Sequence, residues 1–266
     1  MAERIQKILS QWGIASRRKG EQMILEGRVK LNNHLATLGD KVDLTKDILE
    51  VDGTVISLNH CPQKIYLLVN KPLGVVSTCF DPQSRPIILD LLPAKLREST
   101  GIHPVGRLDF NSTGALLLTN DGDLTLKLTH PRYHLPKTYR VWLDGYPTTQ
   151  DLSCWRQGVM LSNQKTLPAQ VTVITQERER TLLEIVLTEG KNRQIRRVAA
   201  QLGFKVLSLH RTAIGAIRLD SLQYGNLPLG KYRHLTATEV AFLNQNYQSP
   251  SVNLAAPSRS AVYGKT

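Results

Sequence analysis

The twenty residues from His103 to Gly122, HPVGRLDFNSTGALLLTNDG, constrain this chain more than any other stretch. A Gly-Arg-Leu-Asp corner runs into a second polar corner at Asn111-Ser112-Thr113-Gly114. Ala115 to Leu118 is an apolar run of the length expected for a buried strand. Asn120-Asp121-Gly122 is a turn signal that closes it. One carboxylate, Asp109, is thus carried on a glycine-flanked corner at the entrance to a buried strand, with Arg107 two residues before it. Most loop aspartates only close a turn, and spacing alone favours that role. An acid and an arginine on the loop entering a rigid strand are equally a good place to hold chemistry.

The chain has 266 residues, enough for one large domain with a small one attached. Lys and Arg number 34 against 22 Asp and Glu, a net charge of +12. Such an excess favours an anionic partner, most often nucleic acid. No apolar run approaches the roughly eighteen residues of a membrane span. The charged MAERIQKIL start does not read as a signal peptide. Three widely spaced cysteines suit a reducing cytoplasm. Neither a CxxC nor an HxxxH spacing suggests zinc, and no phosphate-binding glycine loop suggests a nucleotide. No cofactor and no metal are therefore expected.

Residues 1–60 read as a small basic module. Ile5, Ile8, Leu9 and Trp12 share one face of a first helix that Gly13 ends. Ser16 caps a second helix running to about Glu26. Arg17, Arg18 and Lys19 occupy its first turn, where cations oppose the helix dipole by about 0.3–1 kcal/mol each. A phosphate backbone lying across them would account for the cluster. Short strands follow, and Ser57–Gln63 is a linker. Ile65–Val69 reads as a central strand, and Val75–Thr78 as extended. Pro86–Leu92 reads as a short helix with Pro86 at its first position. Asp123 is read as the cap of a helix to Thr129.

Lys137–Leu143 alternates as a strand with Tyr139 on the face of Val141 and Leu143. Asp151–Gln157 reads as a helix, and Ala169–Ile174 and Thr181–Leu187 as paired strands. Asn192 is read as the cap of a helix to about Leu202, with Arg193, Arg196 and Arg197 on one face. Gly203–Leu207 and Ala213–Leu219 read as strands. Between Gly190 and Arg218 stand seven cations and no acid, the footprint of a nucleic-acid surface. Thr236 and Glu239 form a capping box for a last helix. Residues 248–266 are Ser/Pro/Ala-rich and read as a disordered tail.

Two resemblances emerge from these residues. The helix–turn–SRRKGEQMILEGRVKLNN order resembles the small RNA-binding module of ribosomal protein S4 type, carried on Ser16, Arg17, Arg18, Gly27, Val29 and Asn32. YLLVNKPLGVVST, GRLDFNSTGALLLTNDG and TEGKNRQIRR followed by GFKVLSLHRTAIG, with Lys137-Thr138-Tyr139, resemble the ribosomal RNA pseudouridine synthases. Ala115 stands where that family more often has Leu. The resemblance implies an α+β fold: residues 1–60 as the RNA-binding module and 64–247 as a mainly antiparallel sheet with flanking helices. It implies Asp109 as the catalytic carboxylate, Tyr139 stacked on a flipped base and assisting removal of the proton from ring carbon five, and Arg196 paired with Asp109. Arg107 would fill the space the nucleotide leaves, and Ile195 would pack beneath the base. Lys71, Arg193 and Arg197 are expected at the substrate, and Arg17, Arg18 and Lys19 on RNA. The expected partner is ribosomal RNA, of the large subunit by the look of the third motif, bound by a cytoplasmic monomer. The rivals are the small-subunit RNA as target, a non-catalytic assembly factor on the same fold, and a metal-dependent nuclease, which would need clustered carboxylates.

Overall fold

The structure, a computed structural model, describes residues 2–221 and 225–245. The expected disordered tail, 248–266, lies outside the described residues.

The first helix, α1 (Ile5–Gln11), buries Ile5, Ile8 and Leu9. Gly13 follows in the left-handed region at φ +70°. The second, α2 (Arg17–Leu25), starts where Ser16 Oγ accepts the Lys19 N–H at 3.3 Å. Four short strands, β1 (Val29–Leu31), β2 (His34–Leu35), β3 (Leu49–Val51) and β4 (Thr54–Ile56), form an antiparallel sheet in the order β2-β1-β3-β4. Ile5, Leu9, Met23, Ile24, Val29, Leu49 and Val51 pack into a core that draws only on this part of the chain.

The remaining chain is built on a nine-stranded sheet. Its strands are β5 (Tyr66–Lys71), β6 (His103–Val105), β7 (Thr113–Thr119), β8 (Lys137–Asp144), β9 (Gln170–Glu177), β10 (Arg180–Leu187), β11 (Val206–Ile214), β12 (Ile217–Arg218) and β13 (Tyr232–His234). The main path runs β9-β10-β8-β11-β7-β5-β13; β12 pairs with β11, and β6 with the far end of β7. Pairing is antiparallel except where β11 meets β7, His210 opposite Thr113 and Arg211 opposite Gly114. Alternation sends Leu67, Val69, Leu116, Leu118, Val141 and Ile185 to one core, with Val198 and Ala199. Leu68, Ala115 and Leu117 go to the other, with Leu124, Leu128 and Leu243. The run Ala115–Leu118 is continuous because both faces of β7 are covered. Helices α3 (Gly122–Thr129), α4 (Thr149–Gln157), α5 (Gln194–Gln201) and α6 (Ala237–Asn244) flank the sheet.

The two parts of the chain meet backbone to backbone. A Cβ at Gly13 would lie 2.6 Å from the Ser99 carbonyl oxygen, and one at Gly101 2.8 Å from that of Ser10. Lys7 Nζ lies 3.0 Å from Asp123 Oδ1 across the same junction. Among the described residues, no helix is long and apolar enough to cross a membrane.

Several expected elements shift. Asp121, not Asp123, caps α3: its carboxylate accepts the Leu124 N–H at 3.1 Å, and Asp123 turns to Lys7. Pro86 lies outside any helix; a 3-10 turn begins at Ile88, because Val76 and Ile87 pair as a bridge and hold the preceding residues extended. The strand expected over Ala213–Leu219 is broken by a hairpin at Gly215, with φ +57°. Gly203 and Phe204 lie before β11 rather than in it.

Candidate active site

Asp109 stands at the end of a backbone segment that is held at every step. Five successive carbonyls, of residues 108 to 112, each accept a hydrogen bond: from Ser77 Oγ at 2.9 Å, Ser112 N–H at 3.0 Å, Gly74 N–H at 3.1 Å, Arg196 Nη2 at 2.6 Å and Lys71 Nζ at 2.9 Å. Ser77 Oγ also accepts the Leu108 N–H at 3.2 Å. Gly74 reaches its place through φ +76° in the Pro72-Leu73-Gly74 turn.

Lys71 is the buried end of β5, at 0% exposure. Its ammonium group donates to the carbonyls of Pro72 and Ser112 and has no route to a bound molecule. The expectation that Lys71 touches substrate is therefore corrected: it holds the corner from behind. Burial lowers its pKa to about 8, with Arg211 pushing the same way and Asp109 opposing.

The parallel joint lies just beyond. Gly114 has φ +113°, and a Cβ there would fall 2.2 Å from the Arg211 carbonyl oxygen, so β11 and β7 approach here only because Gly114 has no side chain. Arg211 is 5% exposed, and its Nε donates to the Ala115 carbonyl at 2.6 Å. The guanidinium carbon lies 6.0 Å from the centre of the Tyr139 ring. The cation stretch from 190 to 218 is therefore not one surface: Arg211 points into the sheet, and Arg218 is paired with Asp220 at 3.0 Å.

The loop before α5 is stapled by a buried glutamine. Gln194 Nε2 donates to Glu189 Oε1 at 2.7 Å, and its Oε1 accepts the Lys191 N–H at 3.2 Å. The same Glu189 oxygen accepts the Leu167 N–H at 2.8 Å. Asn192 does not cap the helix; Arg193 holds that position in the left-handed region at φ +48°. This turn places Arg193 Nη1 3.8 Å from Asp109 Oδ2. The ion pair expected between Arg196 and Asp109 is not formed: Arg196 is turned to the Asn111 carbonyl, and its Nη1 to the Val206 carbonyl at 3.4 Å. Burial lowers the Arg196 pKa, and Arg193 adds to this against the pull of Asp109.

These elements enclose a cleft of about 520 Å³ lined by Arg107, Asp109, Tyr139, Arg193 and Ile195 from the expected set. Leu117, Leu128, Leu135, Leu187 and Leu209 make its walls apolar. Arg107 is exposed and bears no ion pair or hydrogen bond among the described residues. Tyr139 is 8% exposed on β8. Lys137, two residues before it, also lines the cleft; burial and the nearby Arg211 lower its pKa to about 8. Arg196 and Arg197 do not line it; Arg197 donates to Ser162 Oγ at 2.6 Å. Arg17, Arg18 and Lys19 are exposed on α2, away from the cleft. Among the described residues, no group of histidine, cysteine and carboxylate side chains could hold a metal ion. Ser77, Arg211, Glu189 and Gln194 were not singled out by sequence. Only Arg211 carried a signal, as a lone charge inside the motif LHRTAIG.

A fixed carboxylate at the mouth of an apolar-walled cleft, with arginines at the rim, suits a flat ring carried on an anionic chain. The comparisons agree with that chemistry. A family model described as RNA pseudouridylate synthase matches residues 65–201, and one described as S4 domain matches residues 3–49. The chain is 41% identical over 246 residues to an uncharacterised RNA pseudouridine synthase from Aquifex aeolicus (strain VF5), covering 91% of this chain and 94% of the other. It is 36% identical over 244 residues to ribosomal large subunit pseudouridine synthase B from Bacillus subtilis (strain 168), covering 90% and 94%. The crystal structure of a pseudouridylate synthase superposes with a TM-score of 0.64 at 28% identity, over 90% of this chain and 99% of that one.

Proposed function

The chain belongs to the RNA pseudouridine synthase family, and from that premise we propose that it isomerises one uridine of large-subunit ribosomal RNA. Residues 1–60 would dock on folded RNA and 64–247 carry the chemistry, in the cytoplasm and as a monomer. The large-subunit target is supported by the Bacillus subtilis relative and by a like-named one from Pseudomonas aeruginosa, 38% identical over 251 residues.

In this reading the target nucleotide leaves the RNA stack and enters the cleft. Asp109 acts on it. The bond from sugar carbon one to ring nitrogen one breaks, the base turns, and carbon five takes the place of the nitrogen. Carbon five gives up its proton and nitrogen one gains one, so product and substrate are isomers. Tyr139 lies under the base and assists that proton transfer; Ile195 packs beside it. Arg107, unpaired at the rim, fills the gap left in the RNA. Arg193 neutralises Asp109 while the nucleotide displaces water, when a charge pair gains most strength. Arg196, Lys71 and Ser77 keep the carboxylate aimed. The observation that carries the proposal is the corner itself: Asp109 sits beside Tyr139 on the one segment whose consecutive carbonyls are all held.

The test is a pseudouridine map of ribosomal RNA with the gene intact, deleted, and restored as wild type or Asp109→Asn. One large-subunit site should vanish on deletion and return only with the wild type. Asp109→Asn should lower the rate by about 10³-fold or more, yet bind RNA within a few-fold of wild type. An unchanged map would refute the proposal. Restoration by Asp109→Asn would remove the aspartate from the chemistry.

A further inference from the structure

We propose that the exposed ring of Phe110 is a stacking platform for an unpaired base next to the target uridine. The proposal rests on the RNA-modifying reading above. Phe110 follows Asp109 directly and is 44% exposed, yet it does not line the cleft. Its ring therefore stands outside the pocket, on the rim, where it meets what lies beside a flipped nucleotide rather than the nucleotide itself.

The ring is placed, not loose. The Phe110 carbonyl accepts the Gly74 N–H at 3.1 Å, and a side chain begun at Gly74 would start 4.0 Å from the ring Cζ. Next to Gly74, Leu73 is 64% exposed, so the ring and this leucine leave an apolar ledge beside the carboxylate. No aromatic ring or cation stacks on Phe110 among the described residues. Its faces are free, although Arg107 and Arg193 flank the same corner. An uncovered aromatic face among cations fits a polyanion that carries flat apolar rings, which is unpaired RNA. A nucleotide that leaves the stack also strips a neighbour of its stacking partner, and an aromatic face at the rim replaces it.

The experiment uses a synthetic RNA stem-loop carrying the uridine identified by the map. Each flanking nucleotide is replaced in turn by an abasic one. Phe110→Ala should raise KM by roughly 5- to 100-fold, the range of one base–aromatic stack, with kcat within about twofold. Phe110→Trp should behave as wild type. Phe110→Leu, apolar but without a π-face, should be as weak as Phe110→Ala. One abasic substitution should weaken the wild type by the same factor and Phe110→Ala no further. An unchanged KM in Phe110→Ala, a fully active Phe110→Leu, or additive losses with both abasic RNAs would overturn the stacking role alone. Failure of the wild type to convert the unsubstituted RNA would overturn the isomerase reading with it.

Discussion

Arg193 and Arg196 stand three residues apart on one motif and do different work. Arg193 is exposed and lies 3.8 Å from the Asp109 carboxylate. An exposed pair of this kind adds at most about 1 kcal/mol to folding. Arg196 is half-buried and tied to the Asn111 carbonyl, so its removal leaves a backbone acceptor and a cavity behind the corner. Arg193→Ala should therefore slow single-turnover conversion while leaving the urea unfolding midpoint unchanged. Arg196→Ala should slow conversion and cost about 1–3 kcal/mol of stability. Equal unfolding midpoints for the two variants would refute this division of labour. The sequence pattern named both arginines but reversed their partners. Periodicity reports which face of a helix a residue shares; it does not report how far a guanidinium reaches. Here the left-handed turn at residue 193 brings the nearer arginine back over Asp109. Asp109, Tyr139, Arg107 and Ile195 were legible because motif and cleft coincide. Ser77 and Gln194 were not, because their work is done on backbone atoms of distant segments.

At the level of elements, local rules located what local forces decide. Ser16 and the Thr236–Glu239 box cap the helices they were expected to cap, and alternation found β8 and β10. Asp121 against Asp123 was a choice between two acids a single turn apart, settled by Lys7 from another part of the chain. The parallel joint between β11 and β7 was invisible, since its two strands are far apart in sequence and only a glycine marks it. That glycine gives a sharp prediction. Gly114→Ala combines an unfavourable φ with a 2.2 Å clash against the backbone of Arg211. The variant should lose about 4 kcal/mol or more, or fail to fold. A urea midpoint within about 1 kcal/mol of wild type would show that the strands can part at that point without consequence.

For the whole molecule, the net charge of +12 is distributed by fold, not by sequence order. Arg17, Arg18 and Lys19 stay exposed, whereas Arg211 is buried and Arg218 is occupied by Asp220. RNA affinity should fall steeply as salt rises, by about 10³-fold or more from 50 to 200 mM if at least six phosphates are neutralised. Replacing Arg17, Arg18 and Lys19 by alanine should flatten the log–log slope by about two; Arg218→Ala should leave it unchanged. Anisotropy titrations at several salt concentrations measure this, and a flat response in the wild type would remove α2 from the RNA surface. The held corner around Asp109 has its own consequence at this scale. Fixing a backbone residue costs roughly 1–2 kcal/mol of conformational entropy. For residues 108–112 that loss is complete when the chain has folded, before any RNA arrives. The disorder that aiming an acid would otherwise have to remove is thus removed once per molecule rather than once per reaction. Any change that frees one of those carbonyls returns part of it to every turnover.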